Sequence, residues 1–138
     1  MATFAGQTKK TDVDETKPGS EVTPLRLVMQ ITDGDDRPRI VSIPLQQKLT
    51  IGRGGAVGER QPEIDLTGFH GLENGVSRWH AQFNYDSEYL SLEDLNSTNG
   101  TRINGFQISP SRPYRLRNGD EIEIGSLRIT VSVVRIPN

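Results

Sequence analysis

From Leu25 onward the chain alternates between apolar and polar side chains. Leu25, Leu27, Met29 and Ile31 fall on one side of the run and Arg26, Gln30 and Thr32 on the other, the period-two pattern of a strand with one buried face. The Asp33-Gly34-Asp35-Asp36 turn leads into a second alternating run with Val41, Ile43 and Leu45, so the pair predicts a β-hairpin. Further strands are predicted at Leu49 to Gly52, Ala81-Phe83-Tyr85, Leu90-Leu92, Ile122-Ile124 and Leu127-Ile129-Val131-Val133. Between them stand Asn74-Gly75, Asn99-Gly100, Asn104-Gly105 and Asn118-Gly119, and Asn-Gly supplies positive φ cheaply in tight turns. No run of ten residues keeps a helical period. Short strands joined by such turns predict an all-β chain, a sandwich or a barrel.

Residues 1 to 24 break this pattern. They hold Thr, Lys, Asp, Glu, Gly and Pro with a few scattered apolar residues, and they predict a disordered tail before a domain over 25–138. Composition agrees with the strand reading. The 14 Gly and 8 Pro among 138 residues are more than a helical bundle tolerates. The length suits one domain with a single core. Without cysteine there is no disulfide framework, thiolate nucleophile or Cys-containing zinc cluster. The start resembles no signal peptide and no apolar run is long enough to span a bilayer, so a cytoplasmic protein with no membrane partner is expected.

Charge excludes one more class. The tail carries three basic and four acidic residues and the rest thirteen and fourteen, giving a net charge of −2. No nucleic-acid partner is expected, since neutralising many phosphates needs a basic excess. A small anion site remains open. Of the thirteen basic residues beyond position 24 only Lys48 is lysine, and arginine's planar fork grips a phosphate at two points.

Catalysis fails on countable grounds. The only histidines are His70 and His80, and Ser77, three residues before His80, has no G-x-S-x-G elbow around it. Two histidines without carboxylates at ligand spacing make no metal site. Gly52-Arg53-Gly54-Gly55-Ala56-Val57-Gly58 lacks the Gly-Lys-Ser/Thr ending of a phosphate-binding P-loop. No enzyme activity and no cofactor are expected.

Three segments carry the most information: Ile51-Gly52-Arg53, then Val76-Ser77-Arg78-Trp79-His80-Ala81, then Leu95-Asn96-Ser97-Thr98-Asn99-Gly100-Thr101 followed by Ile103-Asn104-Gly105. In this order and spacing they resemble the forkhead-associated (FHA) domain, over about residues 25 to 136. The resemblance implies an eleven-stranded β-sandwich, a phosphothreonine-binding module whose loops at one end form a shallow phosphopeptide site. It implies phosphate contacts from Arg53, Ser77, Arg78 and Thr98, and a hold on the ligand's main chain from Asn99. Gly52, His80, Asn96, Ser97, Asn104 and Gly105 are expected to support the site. Trp79 stands where another basic residue is frequent in the family.

The tail offers a ligand of its own. Five of eleven threonines lie in it, and Thr11 alone has basic residues before it and an acid, Asp14, three places after. This arrangement is similar to a preferred ligand of the family. The 14 residues from Thr11 to Leu25 span roughly 20 Å as a flexible chain, and a ligand so tethered reaches an effective concentration on the order of millimolar. The expected partners are a phosphothreonine-containing protein or the chain's own phosphorylated tail, and a Ser/Thr protein kinase. The alternative is a structural interaction module that uses the same sandwich without phosphate.

Overall fold

The computed structural model describes residues 24–136, so residues 1–23 of the expected tail, Thr11 among them, lie outside the described residues. Eleven strands follow in order: β1 (Leu25–Thr32), β2 (Arg39–Pro44), β3 (Lys48–Gly52), β4 (Ile64–Asp65), β5 (Ala81–Tyr85), β6 (Leu90–Asp94), β7 (Thr101–Ile103), β8 (Phe106–Gln107), β9 (Pro113–Leu116), β10 (Glu121–Ile124) and β11 (Leu127–Arg135). One 3-10 turn at Thr67–Phe69 is the single helical element among the described residues. The alternating runs of the sequence are strands, as expected. The two-residue strands β4 and β8, together with β7 and β9, lack enough alternation to be read from periodicity.

The strands form two sheets, β2-β1-β11-β10-β7-β8 and β4-β3-β5-β6-β9. All ladders are antiparallel except β3 with β4. The alternation decides which side chains go inside. In the six-stranded sheet Leu27, Met29 and Ile31 of β1 face inward with Ile129 and Val131 of β11 and Ile122 and Ile124 of β10, all essentially without solvent exposure. Leu49, Ile51, Ala81, Phe83 and Leu92 close the core from the five-stranded sheet. Apart from Ala81, each of these side chains contributes about 1.5–3 kcal/mol by leaving water.

The register brings three loops to one end. Ile51 at the close of β3 pairs with Ala81 at the start of β5, and Ala81 pairs in turn with Asp94 at the close of β6. The segments 53–63, 66–80 and 95–100 therefore leave the sandwich side by side, and the last carries the chain from one sheet into the other.

Phe83 is the largest fully buried side chain. Phe83→Ala is expected to lower the unfolding free energy by about 3–5 kcal/mol, read from guanidinium unfolding curves.

Candidate functional site

The site begins where β3 ends. Gly52 packs so closely on the main chain of Arg78 that a β-carbon there would collide with the Arg78 carbonyl. Only glycine fits without moving backbone. This approach lets the Arg53 N–H donate to Ser77 O at 3.0 Å. The Arg53 Nε donates to Val76 O at 3.1 Å, which fixes the half-buried guanidinium at its base and leaves the terminal nitrogens for an anion.

His80 joins two of the three loops. Its ring is fully buried, its Nδ1 accepts the Ser77 N–H at 3.0 Å, and its Nε2 lies 2.9 Å from Gly100 O. A backbone donor on one side and a carbonyl on the other admit one arrangement: neutral imidazole with the proton on Nε2. Burial holds His80 below the ordinary imidazole value, against the opposing pull of the Gly100 carbonyl and the Asp94 charge.

Two more bonds cross the same gap. Ser77 Oγ accepts the Thr98 N–H at 3.0 Å, which leaves its own O–H to donate outward. Asn99 Nδ2 donates to Gly75 O at 3.0 Å, and its carbonyl oxygen and second N–H remain on an exposed side chain. Arg53, Ser77, Thr98 and Asn99 thus stand on loops tied together by backbone and side-chain bonds.

Asp94 is a site residue that the sequence reading missed. Buried at the end of β6, its Oδ1 accepts the Ser97 Oγ–H and the Thr101 Oγ1–H, each at 2.6 Å, and its Oδ2 accepts the Ser97 N–H at 3.1 Å. Burial pushes its carboxyl up, but these hydrogen bonds outweigh it and hold the group below the ordinary aspartate value. Ser97 Oγ also accepts the Gly100 N–H at 3.0 Å, and Asn96 takes the left-handed conformation (φ 62°) that closes the loop. The signal was present: in Leu90-x-Leu92-x-Asp94 a charge occupies an inward position of the strand.

Asn104 and Gly105 have a different neighbourhood. Both have positive φ, 49° and 88°, in the two-residue turn between β7 and β8, and Asn104 bonds to Asp120 and to the Glu121 N–H on β10. The lead-in 66–75 is anchored from the other sheet, where Asp33 in the β1–β2 turn accepts Asn74 Nδ2 at 3.1 Å and meets His70 Nδ1 at 2.8 Å. The bond to Asp33 raises His70 above the ordinary imidazole value.

Arg53, Arg60, Arg78, Glu59 and Trp79 line a small hollow beside Ser77. Arg60 lies over the Trp79 ring, 4.8 Å from its centroid, so a cation is carried above the position where the family often has a basic residue. The larger hollows, of about 330 and 440 Å³, surround Tyr89 and Arg115, where the arginine already rests 3.9 Å from the ring centroid.

A two-sheet β-sandwich with donor-rich, cross-linked loops at one end defines a β-sandwich recognition module. The chain belongs to the FHA domain family, whose model matches residues 49–125. Protein FraH of Nostoc sp. is 37% identical over 84 residues, 60% of this chain and 29% of that protein. The FHA domain-containing protein FhaA of Mycobacterium tuberculosis is 32% identical over 105 residues, 76% of this chain and 17% of FhaA. The chain thus spans less than a third of either protein. Among solved structures, the FhaA FHA domain in complex with the intracellular domain of a second protein superposes with a TM-score of 0.57 at 31% identity, covering 77% of this chain and 99% of that one. Another, from work on phosphothreonine-dependent FHA domain interactions, gives a TM-score of 0.56 at 31% identity and covers 84% and 99%.

The buried imidazole predicts a pH dependence. Because its folded value lies below the ordinary imidazole value of 6.5, the stability it contributes is full above that pH and is lost as the pH falls to the depressed folded value. The raised His70 works in the opposite sense, its contribution being full below 6.5 and lost as the pH rises through its folded value. His80→Ala is expected to cost about 2–4 kcal/mol at pH 7.5. The gap between wild type and variant should narrow at pH 5.5, a comparison in which the His70 effect cancels.

Proposed function

We propose that this chain binds phosphothreonine-containing segments of a partner protein through the loop end of the sandwich. The observation that carries the reading is the placement of Arg53, Ser77 and Thr98 on loops cross-linked by His80, by Asn99 and by the bonds of Arg53 to Ser77 O and Val76 O. In this reading the Arg53 guanidinium and the Ser77 hydroxyl donate to phosphate oxygens, with Arg78 and Thr98 completing the cradle. Charge-assisted bonds of this kind are shorter and stronger than neutral ones. The free amide positions of Asn99 hold the ligand's main chain, since an amide both donates and accepts. The site is a binding site without catalysis. Near neutrality of the whole chain suits it, because selectivity then comes from donor placement rather than from bulk charge.

The finer reading concerns regulation. Phosphorylation of Thr11 by a Ser/Thr kinase would supply a tethered ligand, and the tail would then compete with partners for the same cradle. Support comes from the sequence: Lys9 and Lys10 before Thr11, Asp14 after it, and a linker long enough to reach.

Arg53→Ala is expected to weaken phosphothreonine peptide binding at least tenfold by isothermal titration, since a charge-assisted hydrogen bond contributes about 1.5–3 kcal/mol. Equal binding by wild type and variant would favour a phosphate-independent interaction module. For the tail, NMR spectra of protein phosphorylated at Thr11 should show shifts at Arg53, Ser77 and Asn99. Spectra unchanged at those residues would sink the tethered-ligand reading.

A further inference from the structure

Arg78 already holds an anion. Its Nη1 lies 3.0 Å from Glu59 Oε1, the carboxylate of a residue nineteen positions earlier in the β3–β4 loop. Arg53, by contrast, spends its Nε on a neutral carbonyl. Of the two arginines assigned to the phosphate, one is therefore engaged by a charge before any ligand arrives.

The carboxylate is presented by a braced loop. Asp65 Oδ1 accepts the Gly54 N–H at 2.9 Å, and Gln61 Oε1 accepts the Gly55 N–H at 2.8 Å. Gln61 Nε2 donates to the carbonyls of Ala56 at 3.1 Å and Glu59 at 3.0 Å. Glu59 itself closes a reciprocal pair with Ala56, its N–H donating to Ala56 O and its Oε1 accepting the Ala56 N–H, both at 3.1 Å. At the loop's far end Glu63 Oε1 accepts the Thr50 N–H at 2.7 Å. Gly55 supplies the last requirement, because a β-carbon there would occupy the space of the Glu59 carboxylate.

We propose that Glu59 is a specificity-determining residue of the phosphothreonine site: an internal carboxylate that competes with the ligand's phosphate for Arg78. The proposal rests on the phosphothreonine reading above. The contact is weak enough to be displaced, since both side chains are 52% exposed and such pairs are held loosely in water. A phosphate brings close to two negative charges and several acceptor oxygens to Arg78. A lone carboxylate on a ligand would exchange like for like and gain little. By holding Arg78, Glu59 thereby raises the threshold for entry.

Glu59→Gln tests this, because glutamine retains an acceptor for the Ala56 N–H and nearly the same shape while losing the charge. The probe is a peptide pool with one fixed phosphothreonine and degenerate flanks, measured against its unphosphorylated counterpart. The variant is expected to bind the phosphorylated pool about two- to fivefold more tightly than wild type. The gain should vanish when Arg78→Ala is added, as coupled residues are not additive. Glu59→Ala, which also loses the Ala56 bond, should move in the same direction, with unchanged thermal midpoints showing intact folds. Unchanged or weaker binding by Glu59→Gln overturns the proposal, and so does an equal gain in the Arg78→Ala background. If wild type does not prefer the phosphorylated pool, the phosphothreonine reading fails and the competitor role falls with it.

Discussion

A single neutral imidazole governs the loop end of this molecule. His80 accepts a hydrogen bond from the Ser77 amide on one side and donates to the Gly100 carbonyl on the other, and no solvent reaches it. Without a ring that both accepts and donates, one loop would carry an orphan amide and the other an orphan carbonyl, each partly buried and each costly. The positions of Ser77 and Thr98 follow from it. Ser77 can offer its oxygen to the Thr98 amide only where the imidazole has placed its backbone.

The sandwich supplies the rigidity that such a bond needs. Ile51, Ala81 and Asp94 are neighbours across three strands, so the loops leave from fixed points on the five-stranded sheet. Asp94 then braces from within the 95–100 loop that His80 ties to its neighbour: a buried carboxylate gathers Ser97 and Thr101, with Asn96 in the left-handed turn between them. Polar groups buried at the end of a β-sandwich are acceptable only when every partner is present, and these networks supply them. The site's exposed donors stand on interior bonds.

The sequence made much of this legible, and its limits have physical causes. Long alternating runs such as Leu25 to Ile31 and Leu127 to Val133 declared both their strand character and their buried face. Two residues cannot show a period, so β4 and β8 were invisible to patterning. The expected site residues came from the resemblance of three ordered segments, since periodicity says nothing about which loops meet. Asp94 was readable as an inward charge but was passed over. Glu59 was not readable: its contact with Arg78 depends on how an eleven-residue irregular loop folds back, and no local spacing encodes that.

The sheet borders carry a consequence of their own. Of the four edge strands among the described residues, β4 and β8 have two residues each and β9 has four, while the six-residue β2 ends on Pro44, which has no amide proton to offer. Short or interrupted borders give an incoming strand few main-chain groups to pair with, which protects the fold from open-ended stacking. The same economy shapes how a partner can be met. An extended segment gains little by lengthening either described sheet, and the outward-facing donors of Ser77 and Asn99 lie on the loops instead.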